Sequence, residues 1–218
     1  MTELQAIQER HSVRRYQNKP IEQETAKLFC EEIERVNEQF GLHIQYIDTE
    51  DGVFSGVVSK ICGWSRIPGY LAMVGSKSDD LDERCGYAGE RLVLYAQTLG
   101  LNTCWAGIFK RKCCTAQVNE GEKLVLVIAV GYGENSGHPR RTKQMEELTD
   151  VKEAPAWFTS GMKAAMCAPT ARNQQKFFIT LDGDKPVAKV TGNAPFAKLD
   201  LGIVKYHFEV ASGKRFDC

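Results

Sequence analysis

The sequence predicts an α+β fold, and three stretches carry that expectation. From Ile21 to Phe40, the residues Phe29, Ile33, Val36 and Phe40 recur at intervals of four, three and four, one face of an amphipathic helix. Lys123 to Val130 (Lys-Leu-Val-Leu-Val-Ile-Ala-Val) is almost continuously apolar, as a strand buried on both faces reads. Leu92 to Ala96 is apolar nearly all round within a helix expected over Gly86–Leu99, and a helix without a polar face belongs in the interior.

The other elements follow in order. Leu4 and Ile7 mark a short helical run ahead of Arg10. Gly41 stops the first long helix, and Leu42 to Ile47 alternates like a half-buried strand. Asp48 to Gly63 reads as a polar loop with an Asp51-Gly52 turn, either a lid or an ordinary surface loop. Tyr70 to Val74 is a short apolar strand, set apart from the Gly86–Leu99 helix by the charged residues of Lys77 to Arg84. Gly86, Ala88 and Gly89 offer a surface that another backbone can approach closely. Leu101 to Phe109 is apolar around Gly107, which suits either the approach of a flat ligand or a plain turn. Met145 to Pro155 shifts in composition and reads as a connector. A helix over Trp157–Cys167, strands over Lys176–Leu181 and Val187–Val190, and a final helix over Ala197–Ala211 complete the chain. Helix, strand and Asp-Gly turn occur at Ile21–Gly52 and again at Trp157–Gly183, the order an internal pseudo-two-fold duplication would give.

Composition narrows the function. Lys plus Arg and Asp plus Glu are 28 each, so zero net charge removes any whole-protein argument for a nucleic-acid partner. The longest apolar run, Leu124–Val130, is too short to span a bilayer, and no membrane partner is expected. Met1-Thr-Glu-Leu-Gln-Ala lacks the pattern of a signal peptide. The eight cysteines contain no C-x-x-C, so reduced thiols, no metal site and a cytoplasmic setting are expected.

Basic groups then matter only where they cluster. Arg10-His-Ser-Val-Arg-Arg-Tyr16 gathers guanidinium, imidazole and hydroxyl donors with no local carboxylate, which suits a phosphate or a solvated basic turn. Arg140, Arg141 and Lys143 form a second such cluster. The glycines of Gly131–Gly137 match neither the dinucleotide fingerprint nor the phosphate loop.

Two stretches make the pattern specific. Arg10-His-Ser-Val-Arg14 followed by Pro20, and Ala168-Pro-Thr-Ala-Arg-Asn-Gln-Gln175, both resemble the FMN-dependent nitroreductase family, as does Tyr87–Phe109 with its Cys-Trp-Ala-Gly. The resemblance implies a mixed central sheet flanked by helices and an FMN cofactor reduced by NADH or NADPH. Carried over by position, Arg10, His11, Ser12 and Arg14 would hold the phosphate and ribityl chain, with Arg140 or Arg141 reaching the phosphate as well. Pro169, Thr170, Asn173 and Gln175 would line the ring, and the Ala106-Gly107 backbone would approach its carbonyl and N5 edge. Trp64 and Tyr70 are candidates for lining the acceptor pocket.

One departure stands out. Family members carry the N-x-Q motif after their first long helix, whereas here it lies near residue 170. The arrangement resembles a subgroup in which one chain holds both halves of the usual dimer: residues 1–144 with the phosphate motif and 145–218 with the N-x-Q motif, packed as one globular unit. A pseudo-dimeric monomer or a homodimer is expected. The implied activity is hydride transfer from NAD(P)H through flavin to a nitroaromatic, quinone or other small acceptor. Its rivals are a flavin-binding or redox-sensing protein with little turnover, and a specialised flavin enzyme of reductive dehalogenation or flavin fragmentation.

Overall fold

The computed structural model describes residues 1–48 and 52–217. In chain order the elements are α1 (Glu3–Glu9), α2 (Gln23–Phe40), β1 (Gln45–Ile47), α3 (Val57–Ile61), β2 (Gly69–Ser76), α4 (Leu81–Thr98), β3 (Asn102–Ala106), β4 (Glu122–Gly131), α5 (Ala156–Met166), β5 (Phe177–Asp182), β6 (Lys185–Val190) and α6 (Ala197–Ser212). The chain divides into two compact units. A sheet unit holds Arg10–Leu81 and Leu92–Pro139; a helix unit holds Met1–Glu9, Asp82–Arg91 and Arg140–Cys218.

The sheet unit is organised on four strands in the order β1-β2-β4-β3. Each ladder is antiparallel, and the parallel component of the expected mixed sheet is confined to isolated bridges, Ser12 with Thr103 and Arg15 with Ser65. Strands β2 and β4 are central and buried along most of their length, which is why their sequences are apolar on both faces. A shift in their register between Met73 and Val74 marks a bulge. Phe29, Ile33 and Val36 of α2 are buried, and Phe29 meets Tyr46 of β1 edge to face at 6.1 Å. Gly41, at φ 58°, closes α2 in the left-handed conformation and donates to Asn37 O.

The boundaries differ from the sequence expectation for identifiable reasons. The strand expected from Leu42 begins at Gln45 because the Asn37 side chain claims both backbone groups of Ile44, at 2.7 and 2.8 Å. Helix α4 starts at Leu81, inside the expected charged spacer, since Asp82 and Glu83 in a first turn complement the helix dipole. Helix α3 lies within the expected loop; Asp51 of the expected turn lies outside the described residues.

In the helix unit α5 and α6 pack together, and β5 and β6 form a hairpin turning at Gly183-Asp184. A Cβ on Gly86 would stand 2.0 Å from Leu199 O, and one on Gly202 would stand 2.0 Å from Glu83 O. The two helices α4 and α6 therefore cross with backbone against backbone. Beside the crossing Lys205 pairs with Glu83, and Tyr87 donates to Glu209 at 2.6 Å. Deeper in, His207 and Glu90 are both 0% exposed and joined Nε2 to Oε1 at 2.8 Å, while His207 Nδ1–H donates to Ala164 O. Phe208 lies against Gly161 of α5, with Phe158 and Phe216 around its ring. The helix–strand order recurs in the two halves, but the sheets differ: four strands in one, two in the other.

Among the described residues no helix is long and apolar enough to cross a membrane. Nor are any three His, Cys, Asp or Glu residues there placed to hold a metal ion.

Candidate functional site

The predicted site residues fall into two sets, one in each unit. In the sheet unit, Arg10 to Tyr16 starts beside β3, one of the two outer strands of the sheet, and continues past Ser65 and Gly133. Val13 N–H donates to Thr103 O at 3.1 Å, Tyr16 N–H to Ser65 O at 3.2 Å, and Ser65 N–H to Arg14 O at 3.0 Å. Beyond it Gln17 N–H donates to Tyr132 O, and Glu134 N–H to Arg15 O. The segment thus reads as an extra, irregular strand whose backbone is tied down on several sides.

Arg10 is the unusual member. It is only 3% exposed, and its Nε and Nη1 are buried with no hydrogen-bond partner. A guanidinium in that condition is costly unless an anion completes it. His11 Nδ1–H donates to Arg10 O at 2.7 Å, and Gly137 packs against His11, since a Cβ there would stand 2.6 Å from His11 Cβ. Ser12 hydrogen-bonds the Cys104 thiol. Burial pushes that thiol's pKa up, while Arg14, the Ser12 bond and Arg10 pull it down. Arg14 is exposed and lies 5.8 Å over the Trp64 ring, which in turn meets Phe54 at 4.8 Å. Ala106 ends β3 and is buried, with Gly107 following it. Tyr70, inside β2, is fully buried and its hydroxyl reaches Cys114 Sγ at 3.5 Å.

In the helix unit the second set surrounds a short turn, Ala171–Asn173. Arg172, Asn173 and Gln175 have φ of 52°, 55° and 47°. Side chains other than glycine and asparagine rarely adopt that region. The strain is held by hydrogen bonds. Gln175 N–H donates to Thr170 Oγ1, and the Asn173 amide donates to Arg141 O at 2.8 Å. The Gln175 side chain, 1% exposed, accepts from Lys143 N–H at 2.8 Å and donates to Thr142 Oγ1 and Met166 O. Its amide is therefore committed to the loop that carries Arg140 and Arg141. Arg141 and Asn173 are exposed, Arg140 and Thr170 half-buried, and Pro169 is buried.

Asp200, on the first turn of α6, was not legible as part of this set. Its two carboxylate oxygens accept Ala171 N–H at 2.9 and 3.1 Å. Burial pushes its pKa up to about 7, opposed by that bond. Because the folded value exceeds the unfolded one, the native state holds the proton more tightly. The stability it contributes is full below about pH 4 and is lost as pH rises to about 7. Urea unfolding from pH 4 to 8 should show Asp200→Asn gaining on wild type by on the order of 3 kcal/mol across that window. Parallel pH profiles would refute the assignment.

A family model described as "Putative TM nitroreductase" matches residues 3–212 of the sequence. The chain belongs to that family. Solved structures share the nitroreductase fold at low sequence identity. One from Thermotoga maritima, assigned as a nitroreductase, is 20% identical with a TM-score of 0.66, covering 97% of this chain and 83% of its own. Another from Desulfovibrio desulfuricans, assigned as a nitroreductase in complex with FMN, is 19% identical with a TM-score of 0.55, covering 71% and 98%. A third from Bacteroides thetaiotaomicron, assigned as an NADH dehydrogenase/NAD(P)H nitroreductase, is 18% identical with a TM-score of 0.52, covering 67% and 95%. No curated protein matches the sequence. For a nitroreductase-family chain, the clustering of donors on Arg10 to Arg14 and the turn at Asn173 are the features to interpret chemically.

Proposed function

We propose that this chain is an FMN-dependent oxidoreductase that takes a hydride from NADH or NADPH and passes it on to a nitroaromatic, quinone or other small acceptor. The observation that carries the reading is Arg10. A buried guanidinium with Nε and Nη1 unpartnered fits the phosphate of a bound nucleotide better than any neighbour in the sheet unit. Family membership and the FMN and NAD(P)H named for fold relatives support the same reading.

FMN, when bound, supplies the hydride chemistry at its ring, so the protein's part is binding, orientation and electrostatics. Arg10 holds the phosphate, with Ser12 and Arg14 adding donors along the ribityl side. The backbone bonds of Val13 to Thr103 on β3 and of Tyr16 to Ser65 hold those donors in place before any ligand arrives, so little ordering is required on binding. Burial around Arg10 excludes water and strengthens its attraction for an anion. Arg140 or Arg141, Pro169, Thr170 and Asn173 are proposed as the further contacts, and the Ala106-Gly107 backbone as a ring neighbour. In this reading Gln175 acts through the loop it holds.

Titration of the purified chain tests the proposal. FMN should saturate near one per chain and bind at least ~10-fold more tightly than riboflavin, the difference of one charge-assisted bond. Bound flavin should be bleached by NADH or NADPH under anaerobic conditions and reoxidised by a nitroaromatic or quinone. Equal affinity for riboflavin removes the phosphate role of Arg10, and no uptake of either flavin removes the function.

A further inference from the structure

We propose that Asp200 is the positioning residue of the Ala171–Asn173 turn: its carboxylate, reaching over from α6, holds the strained backbone that presents Asn173. The inference rests on the FMN reading above, in which Asn173 is a ring-side contact.

Three observations converge on it. Left-handed backbone at Arg172, Asn173 and Gln175 is a conformation that such a segment abandons unless its surroundings impose it. At its C-terminal side Gln175 N–H bonds Thr170 Oγ1 in the same stretch of chain, and the Asn173 and Gln175 side chains bond residues 141–143, a segment that belongs to no helix or strand. At its N-terminal side the first free N–H, that of Ala171, is taken by both oxygens of Asp200. Asp200 belongs to a different element, and α6 itself is fixed by the backbone crossing at Gly202 and the buried His207–Glu90 pair. The carboxylate therefore ties the turn to a helix that is itself held at the Gly202 crossing and by the His207–Glu90 pair. It touches no proposed ligand group, so its influence on the cofactor passes entirely through the turn.

Three variants test this. Asp200→Ala deletes both acceptor oxygens, and Asp200→Asn keeps one. Ala171→Pro deletes the donor while leaving the carboxylate in place; Thr170, at φ −126° and ψ 153°, already has the extended backbone a following proline requires. For each variant FMN affinity, the visible band of the bound flavin and a thermal melt are measured. Asp200→Ala and Ala171→Pro should each weaken FMN binding by about tenfold and shift the bound-flavin band, with a cooperative melt retained. Asp200→Asn should restore most of both. Should Asp200→Ala fail to fold, Ala171→Pro supplies the same comparison. Wild-type affinity and spectrum in the donor and acceptor deletions overturn the inference while leaving the FMN reading standing. So does an Asp200→Asn variant no better than Asp200→Ala. A wild-type chain that takes up no FMN overturns both.

Discussion

Arg10→Met should weaken FMN binding by roughly ten- to a hundredfold while leaving the flavin-free protein as stable as wild type, or more so. The two effects have opposite signs because one group causes both. Charge-assisted bonds to a phosphate contribute about 1.5–3 kcal/mol each. Without an anion, the same buried nitrogens Nε and Nη1 have surrendered hydration and gained no partner. Methionine keeps much of the apolar stem and removes the desolvated charge, so the folded state loses little packing. Fluorescence titration with FMN and urea unfolding of the flavin-free chain check both halves. A variant that binds FMN at wild-type strength removes Arg10 from the site. One that loses stability sharply without flavin shows that Arg10 serves the fold instead.

Gly202→Ala should be among the most destabilising single substitutions in the helix unit. Alanine gains about 1 kcal/mol of helix propensity over glycine. That gain is overwhelmed at a position where the new Cβ would stand 2.0 Å from Glu83 O and 2.7 Å from Tyr87 N. Backbone atoms cannot rotate away as a side chain can, so α4 and α6 must separate. Overpacking of this kind typically costs about 1–3 kcal/mol, and a backbone collision lies at or beyond the upper end. Gly86→Ala meets Leu199 O across the same crossing and should behave alike. Because both substitutions force one separation, the double variant should cost less than the sum of the singles. Chemical denaturation of the three variants measures this. A Gly202→Ala protein within about 0.5 kcal/mol of wild type would falsify the crossing.

The features that could be read in advance are the ones written within a single stretch of chain. Apolar periodicity located α2 and α6, and continuous apolar runs located β2 and β4, each within a few residues. The donor-rich run Arg10 to Arg14 and the Thr170–Gln175 turn were visible as residue types. The sequence marks Gly86 as a place for close backbone approach, yet nothing in it names Leu199 as the backbone that approaches. The sequence of helix α3 reads as loop, since a five-residue element between glycines shows no periodicity. The anchors escaped for another reason. Asp200 meets Ala171 and Asn102 meets Gly133 N–H across 29 and 31 residues, and the Gln175–Lys143 bond spans 32. A lone Asp, Asn or Gln at such distances carries no local signature.

The seam between Arg10–Tyr16 and the rest of its unit also orders events during synthesis. Those residues leave the ribosome before their partners, which are Ser65, Thr103 on β3 and the segment after β4. Gln17 and Gly133, which share a side-chain bond, are 116 residues apart. The Arg10–Tyr16 segment therefore completes its backbone pairing only once most of the sheet has been made. A nascent chain that stalls before Gly133 holds Arg10 to Tyr16 but not the whole edge that shapes them. The shape of this donor-rich run thus arrives only with completion of the sheet.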